Sequence, residues 1–330
     1  MKTCFVFNPC SGKNRRRPWL VPAIRSFIAA HQLDAELVST EAPGHATLLA
    51  RAAISRGCER IVAVGGDGTM NEVAQAVTGT AAALALVPCG SGNGLALHLG
   101  IPTSPRAALM LLAGPGHRDV TIDTGVANGH PFFNVMGLGF DAEISRSFNR
   151  LVRRGLLAYA VTGSRALMKH RMERCVVHGI RRKCFEMSLI AVANSDQYGN
   201  RAYIAPGATV DDGVFDLIVV HSVGLLSALP LAVRLFLGTI DRSRRVTRMR
   251  GDRFLIERAG PGLIHTDGET HETSASIEVV VRPRSLRITV PSGCRVPARE
   301  PENLAEAAAD VGGLRGLPPV GAEALRFSRP

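Results

Sequence analysis

The sequence predicts an α/β domain followed by a β-rich domain, and three observations carry that prediction. Up to about residue 122, short β-rich runs alternate with segments of helical apolar spacing, the pattern of βαβ units and a mainly parallel sheet. Three of those runs end in glycine-rich turns. From about Asp123 onward, strand-like runs follow one another, as in a sandwich.

In chain order, Cys4 to Asn8 (CFVFN), Ala35 to Val38, Ile61 to Val64 and Ala83 to Val87 read as strands. Between them Trp19 to His31, Ala46 to Ser55 and Asn71 to Val77 carry helical spacing. The second half predicts strands at Phe132 to Met136, Arg174 to Ile180, Phe185 to Ala193, Phe215 to Val220, Arg253 to Ile256, Ser276 to Val281 and Leu286 to Val290. Helical insertions are expected around Leu156 to His170 and Leu225 to Leu237. Val223 to Ile240 is apolar enough to raise the question of a membrane span. Pro230 and Arg234 near its middle favour a buried or interfacial helix. Beyond Val296 the chain is rich in Ala, Glu, Gly and Pro without periodicity, and a flexible tail is expected.

The 330 residues favour two domains, and 46% hydrophobic with 20% charged residues is a globular composition. Seven cysteines, an odd number with no CxxC pair, and an N-terminus without signal-peptide character point to reduced thiols in a cytoplasmic protein without a zinc site. The 39 basic residues outnumber the 28 acidic ones, for a net charge of +11. The excess is clustered at Arg15 to Arg17, Arg150 to Arg154, Arg165 to Arg174, Arg181 to Lys183 and Arg242 to Arg253. Such clusters attract polyanions. Few aromatics interleave with them, which argues against nucleic acid and leaves an anionic membrane surface as the expected partner.

The chemistry is concentrated in the turns. Asn8-Pro9-Cys10-Ser11-Gly12-Lys13, Gly65-Gly66-Asp67-Gly68-Thr69-Met70-Asn71-Glu72 and Pro88-Cys89-Gly90-Ser91-Gly92-Asn93-Gly94 each follow a predicted strand. Glycine lets the backbone approach a ligand, and the N–H groups of a helix start favour phosphate. Three such turns on one sheet edge make a polyphosphate site. A carboxylate in the second, Asp67, calls for Mg²⁺ between it and the phosphates. The turns complete neither a Walker A motif nor GxGxxG. Near the end, Asp267-Gly268-Glu269 offers paired carboxylates, although an Asp-Gly dipeptide is also a strong hairpin signal.

NPCSGK, GGDGTMNEV and PCGSGNGLA, in this order and spacing, resemble the diacylglycerol kinase catalytic domain family. Asp123-Thr124-Gly125 with Phe133 to Gly139, Ala205-Pro206 through Asp211-Asp212-Gly213, and Asp267-Gly268-Glu269 continue the resemblance, which covers roughly residues 2 to 295. It implies an N-terminal α/β domain like that of phosphofructokinases and NAD kinases, a C-terminal β-sandwich, and ATP with Mg²⁺ in the cleft between them. The domains are then expected at 1–122 and 123–297, the last strands returning to the first domain, with the tail at 298–330. By the resemblance, nucleotide is contacted by Asn8, Pro9, Cys10, Ser11, Gly12, Thr40, Gly66, Asp67, Gly68, Thr69, Met70, Asn71, Glu72 and Ser91. Asp67 and Asp123 organise the catalytic Mg²⁺, directly or through water. A structural Mg²⁺ is held by the Asp212 side chain with the Thr209 and Val214 carbonyls. Glu269 is the general base, with Asp267 the close second.

Where many bacterial relatives carry an acidic residue after the asparagine of the third turn, this chain has Asn93-Gly94, closer to sphingosine kinases. The expected activity is ATP-dependent phosphorylation of a lipid hydroxyl, glycerolipid or sphingoid, by an enzyme at the inner face of the membrane. NAD kinase, which shares GGDGT, and a catalytically silent basic membrane-binding protein are the alternatives. Oligomeric state stays open, a homodimer included.

Overall fold

The structure, a computed structural model, describes residues 1–12, 14–140, 142, 172–179, 182–221 and 223–296. Lys13, the predicted helix at Leu156 to His170, the cluster at Arg150 to Arg154, residues 165–171 of the cluster at Arg165 to Arg174, Arg181 and the predicted tail lie outside them.

The first half forms β1 (Thr3–Phe7), α1 (Leu20–Ala30), β2 (Ala35–Ser39), α2 (His45–Ser55), β3 (Arg60–Gly65), α3 (Asp67–Val77) and β4 (Ala83–Pro88). β2, β1, β3 and β4 lie side by side in that order, all parallel. Alternation along the strands sends Phe5, Phe7, Val62 and Val64 to one face and Cys4, Val6, Ile61 and Ala63 to the other. Both faces are covered. α1 with α5 (Pro105–Ala113) packs on the first, α2 and α3 on the second. Burial on both sides explains why these strands read as nearly continuous apolar runs. Two short helices, α4 (Gly94–His98) and α5, are additions to the predicted elements. Pro105 at the first position of α5 suits a helix start, where no N–H is needed.

The second half is antiparallel. β5 (His117–Ala127), β6 (His130–Phe132), β7 (Val135–Gly139), β8 (Glu173–His178), β9 (Lys183–Ala193), β10 (Phe215–His221), β11 (Val246–Gly251), β12 (Arg253–Arg258), β13 (Gly262–Thr266), β14 (Glu269–Thr273) and β15 (Ser276–Pro291) enclose a core that includes Phe132, Met136, Phe185, Phe215, Phe254 and Val279. On the outer face, α6 (Leu225–Phe236) packs Leu231 against Val135, Ile218 and Val220. Among the described residues no helix is long and apolar enough to cross a membrane.

Two predicted strand assignments are corrected. Phe132 to Met136 is split between β6 and β7, because the N–H groups of Phe133, Asn134 and Val135 turn aside to a carboxylate. The runs Ser276 to Val281 and Leu286 to Val290 are one strand, β15, with an irregularity between Arg282 and Leu286. β5 and β15 together form the spine of the molecule. Val279 to Arg282 pairs with Thr124 to Ala127 beside β12, whereas Ile288 reaches Leu84 of the parallel sheet.

Candidate active site

The three glycine turns interlock at the carboxyl ends of β1, β3 and β4. Asn8 Nδ2 donates to Thr69 Oγ1 (3.0 Å), and Asn8 Oδ1 accepts the Cys10 N–H (2.9 Å). Ser11 Oγ accepts the Gly66 N–H (2.6 Å), tying the first turn to the second. Gly12 sits at φ +53° against the third turn, where a Cβ would lie 2.0 Å from the Cys89 carbonyl oxygen. Gly66 and Gly90 face each other so closely that a Cβ on either would come within 3.0 Å of the other's Cα. The glycines are therefore required by packing between turns, and the edge they form presents backbone and small polar groups. A cavity of about 360 Å³, lined in part by Glu59, Asp119 and Arg287, lies at the opposite, amino ends of the strands.

Asp67 opens α3 and fastens the third turn to it. Its Oδ2 accepts the Asn93 N–H (2.9 Å) and its Oδ1 the Gly94 N–H (3.0 Å). Burial raises its pKa, while those N–H groups pull the other way. With the Asp67 N–H also donating to it, the carboxylate keeps some acceptor capacity beside turns of backbone and small polar groups, a donor set that suits a hard cation shared with phosphate oxygens. Gly92 preserves that opening, since a Cβ there would stand 2.9 Å from Asp67 Oδ2.

The second carboxylate pair divides its duties. Asp267 and Gly268, at φ +51° and +90°, form the two-residue turn of the β13–β14 hairpin, with Thr266 facing Glu269. The Asp267 side chain folds back into the protein. Oδ1 accepts the N–H groups of Asn134 and Val135 (both 2.9 Å), and Oδ2 accepts the Phe133 N–H (2.8 Å) and Asn71 Nδ2 (2.9 Å). All four lone-pair positions are taken. Asp267, the second candidate for general base, is thus an anchor that ties the hairpin to α3 and to the β6–β7 crossing. Glu269 lies at the exposed start of β14. Partial desolvation first, then the charges of Glu72 and Asp267, raise its pKa, which moves a glutamate toward use as a base near neutral pH.

Other predicted site residues fall in several places. Thr40, buried, joins the first turn through its N–H to the Phe7 carbonyl (2.9 Å). Cys10 and Ser91 are exposed at the rim, Pro9 is half-buried beside them, and Gly68 faces open space. The Met70 side chain belongs to the core beneath α3, so a contact with nucleotide would come from its backbone. Glu72 faces the start of α2, where its Oε2 accepts the Ala46 N–H (3.0 Å). Asp123 is fully buried and has partners of its own. Its oxygens accept the N–H groups of Gly213 and Arg284 (both 2.7 Å), and burial, with Asp212 and Asp211 nearby, raises its pKa. Asp212 takes the Thr209 hydroxyl (2.7 Å), the Val214 N–H (3.2 Å) and the Arg250 guanidinium. No group of three or more His, Cys, Asp or Glu side chains placed to hold a metal occurs among the described residues.

The sequence reading missed Asn93, Asn134 and the 194–203 segment. Asn93 adopts φ +52° and pairs with Gly199, and Asn134 Nδ2 donates to the Gln197 carbonyl (2.9 Å). A Cβ at Gly94 would stand 2.5 Å from Asn134 Nδ2 and 2.7 Å from the Tyr198 carbonyl oxygen. The second half of the chain therefore seals the third turn. An asparagine before a glycine signals a left-handed residue, but no local pattern names the distant partner.

Comparison with known proteins fits this geometry. The diacylglycerol kinase catalytic domain matches residues 2–125, and the YegS C-terminal NAD kinase beta sandwich-like domain matches residues 134–290. A Pseudomonas aeruginosa protein named "Probable lipid kinase YegS-like" is 30% identical over 277 residues, 78% of this chain and 86% of that one. The chain belongs to the diacylglycerol kinase and YegS-like lipid kinase family. A diacylglycerol kinase of Bacillus subtilis is 27% identical over 272 residues, covering 80% of this chain and 88% of its own. The crystal structure of a diacylglycerol kinase from Bacillus anthracis superposes with a TM-score of 0.67 at 18% identity, over 89% of this chain and 98% of that one. That likeness shows the shared fold, an α/β domain with a β-sandwich. The family is one of kinases, and kinase membership implies use of ATP.

Proposed function

We propose that this lipid kinase family member transfers the γ-phosphoryl group of ATP to the hydroxyl of a lipid presented at an anionic membrane surface on the cytoplasmic side. The observation that carries the reading is the junction of the three glycine turns, Asp67 and the Asp267-anchored hairpin that bears Glu269. Backbone N–H groups of the turns beyond those donated to Asn8, Ser11, Asn93 and Asp67 would meet the polyphosphate, and Asp67 with the phosphates would hold Mg²⁺, which neutralises charge on the transferring group. Glu269 accepts the proton of the lipid hydroxyl as its oxygen bonds to the γ-phosphorus. The bond from that phosphorus to the bridging oxygen breaks, and ADP leaves. Asp267 and Asn71 position Glu269 without exchanging protons with substrate.

Two features support action at a surface. α6 exposes Leu229, Val233 and Phe236, with Leu237 just beyond, on one stripe of helical spacing. Exposed Arg242 and Arg244 follow it in the chain. Such an element holds to an anionic bilayer in a salt-dependent way.

The test is transfer of labelled γ-phosphate from ATP with Mg²⁺ to lipids in mixed micelles. Diacylglycerol, monoacylglycerol, sphingosine, ceramide and phosphatidylglycerol form the panel, NAD is the soluble control, and Asp67→Ala is the blank. One labelled lipid, lost in the variant, is expected. Labelling of NAD in preference to every lipid would overturn the reading.

A further inference from the structure

The resemblance assigns a structural Mg²⁺ to Asp212 with the carbonyls of Thr209 and Val214. In this chain the residues around Asp212 do not fit that ion, and the misfit follows from strand register. β11 runs antiparallel to β10 with Arg250 opposite Asp216 and Arg248 opposite Ile218. Two residues apart, the arginines project to the same face. Arg248 Nε donates to Asp216 Oδ1 (2.8 Å) and its Nη1 to the Pro206 carbonyl (2.8 Å). Arg250 spans two carboxylates, its Nε 3.4 Å from Asp216 Oδ1 and its Nη2 on Asp212 Oδ2. Asp212 Oδ2 also accepts the Thr209 hydroxyl, so both its lone pairs are used, and Oδ1 accepts the Val214 N–H. Mg²⁺ requires a near-octahedral oxygen shell at about 2.0–2.1 Å, and a guanidinium here fills one oxygen of the one carboxylate of the set, neutralises its charge and repels the ion. The planar fork of arginine, in contrast, suits a bridge between two carboxylates.

We infer that Arg250 takes the place of the structural metal ion, closing the 209–214 turn through Asp212 and Asp216, so that the fold needs no divalent cation there. This inference is independent of the lipid kinase reading, because its readout is the stability of the nucleotide-free protein. Thermal unfolding of the full chain, without nucleotide, is to be compared in excess EDTA and in millimolar MgCl₂ for the wild type, Arg250→Ala and Asp212→Asn. The wild type is expected to unfold at the same temperature in both. Arg250→Ala is expected to unfold earlier in EDTA and to regain part of the loss in Mg²⁺, and Asp212→Asn to unfold earlier in both. A wild type that loses stability in EDTA, with the Mg²⁺ response abolished in Asp212→Asn, overturns the inference. So does an Arg250→Ala as indifferent to Mg²⁺ as the wild type. Should Arg250→Ala fail to fold in either buffer, calorimetric titration of the nucleotide-free wild type with MgCl₂ decides. No stoichiometric binding sustains the inference, and stoichiometric binding that Asp212→Asn removes defeats it.

Discussion

Asp212-Gly213 and Asp267-Gly268 are the same dipeptide in the second half of the chain, and both glycines are left-handed, at φ +75° and +90°. Around Asp267 the carboxylate turns inward and gathers three backbone N–H groups and one amide from α3. Around Asp212 the residue is exposed, and the carboxylate meets a hydroxyl, one N–H and a guanidinium. Sequence alone reads both as turns. The difference lies in what the rest of the fold aims at them, and it makes one turn an anchor of the candidate active site and the other a surface clasp.

The comparison can be broken first at Asp267. Replacing it with Ala leaves four donors without their acceptor and is expected to cost on the order of 3 kcal/mol in denaturant unfolding, with activity lost as Glu269 is released. The same change at Asp212 removes a partly exposed ion pair and is expected to cost about 1 kcal/mol or less. Equal losses at the two positions would contradict the division of roles. Between these extremes stands Gly94→Ala, whose methyl group has no room beside Asn134 and Tyr198. It is expected to cost about 1–3 kcal/mol by overpacking and to weaken nucleotide binding by moving the third turn.

The smallest effect concerns pH alone. As the proposed base, Glu269 would act only when deprotonated, so its raised pKa is expected to place the acid limb of kcat/KM above the ordinary glutamate value of 4.5. Glu72→Gln keeps an oxygen to accept the Ala46 N–H and removes one negative charge that raises Glu269. The limb is expected to shift to lower pH in a pH–rate profile, with stability unchanged. A limb that stays in place would separate Glu269 from the titrating group.

Legibility of these features follows their physical range. The parallel half could be read because its strands are buried on both faces and its turns carry glycines that contacts between turns require. The antiparallel half was harder. β13 and β14 are built from residues such as Thr266, Thr270 and His271 and are held by a backbone turn, without an apolar run to announce them. β11 reads as part of a basic cluster, yet Arg248 and Arg250 are strand residues paired with carboxylates. Asp67 and Glu269 stood out by motif. The partners of Asp267, the seal on Gly94 and the hold of Arg250 on Asp212 depend on contacts far apart in sequence, and no periodicity encodes those.

The most direct measurement on the central claim compares ATP binding and lipid phosphorylation in Glu269→Gln. A base that touches only the acceptor hydroxyl predicts nucleotide affinity close to wild type, with turnover reduced by about 10²–10⁴-fold. Turnover near the wild-type rate would contradict the assignment, and a loss of ATP affinity in proportion to activity would place Glu269 in nucleotide binding instead.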